Sequence, residues 1–96
     1  MSPSETAWIA TITVRRPDPV SAKRIERALA PEAAREVPRS HARLRRPSER
    51  EIVLDVEAND TGALRAAVNA YLGWVRLALD AEEVARESTG AAARAA

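Results

Sequence analysis

Apolar residues recur along this chain with two alternating periods. In "WIATITVRR" Trp8, Ala10, Ile12 and Val14 alternate with Ile9, Thr11 and Thr13, and the β-branched content predicts a strand with the first set turned inward. From Asp18 the spacing becomes helical. Asp18 is placed as N-cap and Pro19 as first helical residue, and Ala22, Ile25, Ala28 and Leu29 share a face opposite most of the charged residues. Pro31 reads as the stop, which gives a helix of about three turns. A charged connector, "EAAREVPRS", leads to "HARLRR", where Ala42 and Leu44 alternate with His41, Arg43 and Arg45. "PSER" reads as a turn. "EIVLDVEA" then sets Ile52, Leu54, Val56 and Ala58 inward against Val53, Asp55 and Glu57 outward. These two segments predict a hairpin in which Arg43 and Arg45 lie beside Asp55 and Glu57, a pairing worth about 0.2–1 kcal/mol.

The last element, capped by Asp60, is a long helix carrying more apolar surface than one face uses. Leu64, Val68, Leu72, Val75 and Leu79 form the expected core stripe. Beside it runs a second stripe: Ala63, Ala66 or Ala67, Ala70, Trp74, Leu77 or Ala78, and Ala81. Only Arg65, Asn69, Arg76, Asp80, Glu83 and Glu87 make a consistently polar line. The first helix offers little to cover the second stripe, so a further protein partner is expected there. The order β-α-β-β-α predicts an α+β fold: one two-layer domain over 1–87, a three-stranded antiparallel sheet with two helices on one face, followed by a frayed tail over 88–96.

Composition narrows the function classes. With no cysteine in 96 residues, disulfides, thiolate nucleophiles and zinc fingers are excluded. No apolar run approaches the ~20 residues of a membrane span, and "MSPSETAW" does not read as a signal peptide, so a cytoplasmic protein with no membrane contact is expected. The one histidine, His41, sits between arginines with no partner of the kind catalysis requires. There is no metal-ligand cluster and no glycine-rich phosphate loop. Neither a cofactor nor an enzyme activity is expected.

The net charge of +1 does not announce nucleic acid, although six arginines crowd the stretch from Arg35 to Arg50. Arg39, Arg43, Arg45, Arg46 and Arg50 on a central second strand and its turn, with Arg15 and Arg16 ending the first, are the candidates for RNA backbone contact. No exposed aromatic platform suits base-specific stacking.

The stretch "DTGALRAAVNAYLGWV", Asp60 to Val75, resembles the second-helix signature of the CTAG/Pcc family, the smallest core subunit of the KEOPS (EKC) complex. Leu64, Arg65, Val68, Asn69, Tyr71, Leu72 and Trp74 carry the match. Ala67 and Ala70 stand where that family often has serine, and Gly73 where a longer residue is common. A helix-interior glycine hints that another backbone comes near. The resemblance implies a non-catalytic homodimer that binds the N-terminal lobe of the complex's ATP-dependent catalytic subunit. It further implies help in holding tRNA for threonylcarbamoyladenosine (t6A) modification. Leu64, Ala67, Ala70, Tyr71, Trp74, Leu77 and Ala78 are then the expected partner-facing residues, with Arg65 and Asn69 hydrogen-bonding across the contact. The alternatives from the residues themselves are a free-standing RNA-binding α/β module and a small-molecule regulatory domain, the latter lacking an effector loop.

Overall fold

The computed structural model describes residues 7–35 and 39–95, with side chains described to residue 88. Five elements follow one another: β1 (Trp8–Arg15), α1 (Pro19–Ala34), β2 (Ser40–Ser48), β3 (Glu51–Ala58) and α2 (Thr61–Ala95). The sheet is antiparallel throughout, in the order β1-β3-β2. The arginine-rich strand is therefore an edge and not the centre. The central place goes to β3, the strand whose inward set Ile52, Leu54, Val56 and Ala58 is buried, with neighbours on both sides. Val53, on the opposite face, is also buried; Thr13 and Arg45 are its register partners on either side.

The hairpin turn is tighter than expected. Pro47 and Ser48 belong to β2, and only Glu49 and Arg50 turn. A register shift between Arg45 and Ser48 absorbs Pro47, which donates no hydrogen bond and is tolerated only at such an irregularity or on an edge.

Both helices begin at the expected caps. Asp18 Oδ1 accepts from the Ser21 amide at 2.8 Å, and Asp60 Oδ1 from the Ala63 amide at 2.7 Å, each satisfying an amide that lacks a helical partner. The first helix does not stop at Pro31 but runs to Ala34. A proline there removes one helical hydrogen bond. The turn is held from outside: the Tyr71 hydroxyl of α2 donates to the Glu32 carbonyl at 3.2 Å, and Ala33 packs against the core. Residues 36–38 of the expected connector lie outside the described residues. Arg39 re-enters with φ of 69°, a left-handed conformation uncommon for a non-glycine residue, fixed by an ion pair to Asp60 and by the Asn59 amide donating to its carbonyl at 3.0 Å.

The buried line of α2 is Ala67, Tyr71, Val75, Ala78 and Glu82, flanked by the half-buried Leu64, Val68 and Leu79. The expected core stripe is thus rotated. Leu72 is 47% exposed, whereas Ala67, Tyr71 and Ala78, expected to face a partner, turn inward. The helix has two supports, the sheet and α1, and its buried line runs through Tyr71 and Val75. Small side chains at 67 and 78 let its backbone approach the sheet. One residue and ~100° further round, Leu72 is carried out to solvent.

Glu82 enters the core line as a charge. Its Oε2 lies 3.5 Å from Arg24 of α1 and its Oε1 3.8 Å from Arg86, which also reaches Asp18 at 3.3 Å. Two guanidinium groups compensate this buried carboxylate, and they tie α2 to the start of α1. The helix α2 continues through Ala95. Its 35 residues measure about 52 Å at the helical rise, most of the molecule's 61 Å length and more than twice its 23 Å width.

Candidate interaction surfaces

Ala63, Ala66, Ala70, Gly73, Trp74, Leu77, Ala81 and Val84 follow one another along the side of α2 turned away from α1. Leu77 and Val84 are 60% and 61% exposed, and Trp74 is 39% exposed. Asn69, Ala70, Gly73, Trp74, Arg76, Leu77 and Asp80 line a shallow hollow of about 520 Å³ in this flank. Gly73 lies in the lining of this hollow. A methyl group built there would meet no atom within 4 Å, so nothing inside the protomer requires glycine. Yet glycine costs a helix interior about 1 kcal/mol relative to alanine.

Of the residues expected to meet a protein partner, Ala70, Trp74, Leu77, Arg65 and Asn69 are exposed, and Leu64 is half-buried at the core margin. Ala67, Tyr71 and Ala78 have no surface to offer. Gly73 and Val84 complete the flank and were not among the expected set. Val84 was legible as the residue seven beyond Leu77. The Tyr71 phenol, its pKa raised by burial and then by Glu32, remains a donor to α1.

The seven candidate arginines do not share one face. Arg15, Arg43 and Arg45 stand on the outer face of the sheet, opposite the helices, where the register sets them beside carboxylates. Arg15 Nε meets Glu51 at 2.8 Å and Arg45 Nε meets Asp55 at 2.6 Å. Thr11 donates to Asp55 at 3.1 Å, and His41 Nε2 lies 3.4 Å from Glu57. A hollow of about 440 Å³ between Ile9, His41, Arg43, Asp55 and Glu57 marks this face, and its carboxylates are already engaged from β2. Of the expected cross-strand pairing, Arg45 with Asp55 is present; Glu57 is met by His41 instead, and Arg43 is the register partner of Asp55 without an ion pair among the described residues.

Arg16, Arg46 and Arg50 gather at the hairpin-turn end, where the Arg16 amide donates to the Arg50 carbonyl at 2.8 Å. Arg16 Nε donates to Ser21 Oγ at 2.8 Å. Arg46 is committed to the fold: it donates to the Glu49 carbonyl at 2.6 Å and the Pro19 carbonyl at 3.3 Å and lies 3.6 Å from Glu26. Arg39, bound to Asp60, sits at the opposite end. Of these seven, Arg16, Arg43 and Arg50 have no ion-pair partner among the described residues, and of the three only Arg16 has its guanidinium hydrogen-bonded within the chain, to Ser21.

The carboxylates that hold these arginines give the fold an acid limit. Hydrogen bonds from Arg45 and Thr11 hold the Asp55 pKa below its ordinary value, and the Ser21 amide, then Arg86, does the same for Asp18. A carboxylate with a lowered folded-state pKa contributes stability above the unfolded-state pKa of about 3.9 and loses it as pH falls toward the folded value. Urea midpoints are expected to hold from pH 7 to about 5 and then fall, with a shallower fall in Asp55→Asn and Asp18→Asn. An unchanged acid limb in both variants would refute this assignment.

Among the described residues no group of three or more His, Cys, Asp or Glu side chains is placed to hold a metal ion, and no helix is long and apolar enough to cross a membrane. Residues 9–83 match the family described as transcription factor Pcc1. Over 42 residues the chain is 52% identical to the KEOPS complex subunit Pcc1 of Pyrococcus abyssi (strain GE5 / Orsay), a stretch covering 44% of this chain and 50% of that protein. The chain thus spans about half the length of this curated relative.

Proposed function

The chain belongs to the Pcc1 family, and from that membership we propose that it is a non-catalytic subunit of a KEOPS-type complex, acting by protein association and by holding tRNA for t6A modification. The observation that carries the reading is the exposed flank of α2. Trp74, Leu77 and Val84 leave a continuous apolar strip on a domain whose core is already closed by Tyr71, Val75 and Ala78. Such strips mark protein contacts on small soluble domains. The proposed partners are a second copy of the chain and the catalytic, ATPase-like subunit, whose helices would add to this helical layer.

The test is reconstitution: the purified chain is mixed with the other KEOPS subunits, and co-elution and t6A formation on tRNA are measured. Co-elution, with t6A yield falling when the chain is omitted, is the expected result. Absence of co-elution overturns the reading.

For tRNA, backbone contact is favoured over base reading, because the exposed cations are guanidinium groups without an aromatic platform beside them. Arg43 and Arg50 are the strongest candidates, since the other five are already bound within the chain. Each of Arg43→Gln and Arg50→Gln is expected to reduce by about one the slope of log affinity against log salt for the assembled complex. A free-standing RNA module would instead bind tRNA equally well without the other subunits.

A further inference from the structure

One uncommitted hydroxyl stands among the arginines at the hairpin-turn end. Ser48 closes β2 immediately before the two-residue turn Glu49-Arg50, and it is exposed, with no side-chain hydrogen bond among the described residues. The other described serines and threonines differ from it. Ser21 is buried and accepts from Arg16, Thr11 is bound to Asp55, and Ser40 is half-buried. Thr13 lies between Ile12 and Val14, and Thr61 and Ser88 follow Asp60 and Glu87.

Upstream of Ser48 the chain reads Arg45-Arg46-Pro47, and downstream Glu49-Arg50. Two guanidinium groups placed two and three residues before a hydroxyl form a charge pattern that a protein kinase with an acidic substrate groove reads. The fold presents this pattern. β2 is an edge strand, so its backbone is open on one side, and the register shift leaves Arg46 and Pro47 without partners on β3. Arg45 is tied to Asp55, but half of its side chain is exposed, and exposed pairs contribute about 1 kcal/mol or less. Carboxylates of an enzyme can therefore take its place.

We propose that Ser48 is a phosphorylation site for an arginine-directed serine kinase, and that the phosphate switches off the tRNA contact of Arg50. In the transfer Ser48 Oγ bonds to the γ-phosphorus of ATP, and the bond from that phosphorus to the β–γ bridging oxygen breaks. ADP leaves with the electron pair, and the hydroxyl proton passes to a carboxylate of the kinase. The product sets about two negative charges beside the turn at neutral pH. Arg50, two residues on, has no ion-pair partner among the described residues, and Arg46 is fixed at the same turn by the Glu49 carbonyl at 2.6 Å. Charge-assisted hydrogen bonds to the phosphate then occupy the guanidinium that is otherwise open to RNA. The consequence for tRNA rests on the tRNA reading above; the modification itself does not.

The test has two arms. Peptide mass spectrometry of the chain isolated from its own cells is expected to find a phosphoryl group on Ser48 and not on Thr13, Thr61 or Ser88. The full chain carrying phosphoserine at position 48, made by chemical synthesis and assembled with the other KEOPS subunits, is then compared with the unmodified assembly. Its slope of log tRNA affinity against log salt is expected to be smaller by about one, as in Arg50→Gln. Ser48→Ala is expected to leave slope and affinity unchanged. Phosphoserine combined with Arg50→Gln is expected to cost less than the two changes added, because both remove the same cation. Native protein without phosphate on Ser48, phosphoserine that leaves tRNA affinity unchanged, or fully additive losses overturn the proposal. If the unmodified assembly does not bind tRNA, the tRNA reading fails, while the mass of the native peptide still decides whether Ser48 is modified.

Discussion

The Trp74→Glu protein is expected to fold, to melt within a few degrees of the wild type, and to lose association with protein partners by at least a hundredfold in Kd. Trp74 sits at 39% exposure at the border of the hollow in α2, outside the buried cluster of Ala67, Tyr71, Val75 and Ala78. A carboxylate there leaves the core intact, but in an interface it would be buried without a partner. Central aromatic anchors commonly carry 2 kcal/mol or more of an interface, and desolvating an unpaired charge adds to the loss. Light scattering and co-elution check the first effect, calorimetry the second. Association at wild-type strength would show that the strip is not a contact surface. A large fall in melting temperature would show that Trp74 belongs to the core.

Tyr71→Ala is expected to have the largest effect on stability, a loss of about 3–5 kcal/mol, as for other buried aromatic truncations. A domain of this size has about 5–15 kcal/mol in total, so the variant should be near unfolding at physiological temperature. Tyr71 is 6% exposed and ties together two elements that share no other hydrogen bond near Pro31. Tyr71→Phe separates the contributions. It keeps the packing and removes only the bond to the Glu32 carbonyl, at a cost of about 1 kcal/mol. Hydrogen exchange should quicken in the last turn of α1 while β3 amides are unchanged. Uniform quickening across both elements would contradict a local role.

The strands and the helix starts were legible because they depend on neighbouring residues. Alternation at Ile52, Leu54, Val56 and Ala58 fixed the inner face of β3, and Asp18 and Asp60 marked both helix starts, each confirmed by a side-chain-to-amide bond. The pairing of Arg45 with Asp55 followed from the same alternation. What was not legible depends on distant elements. Pro31 is a stop signal by local rules, and only Tyr71, 40 positions later, explains why the helix passes through it. The rotation of α2 depends on where α1 lies, which no periodicity within α2 reveals. Strand order was equally hidden, since a β-α-β-β-α chain does not state whether its second or third strand sits centrally. For the candidate surface, the excess apolar circumference was visible in the sequence, but its division into core and flank was not. Glu82 was in principle readable, lying four residues past Ala78 on the face of Tyr71 and Val75; a charge in that place is intelligible only once Arg24 and Arg86 are seen beside it.

The two borders of the sheet differ in a way that bears on aggregation. The β2 border carries Pro47, a register shift and alternating arginines, all of which discourage a further strand from joining. The β1 border has no such protection. A sheet able to accept a neighbour on one side only reaches a finite size after one addition and has no way to propagate into a fibre.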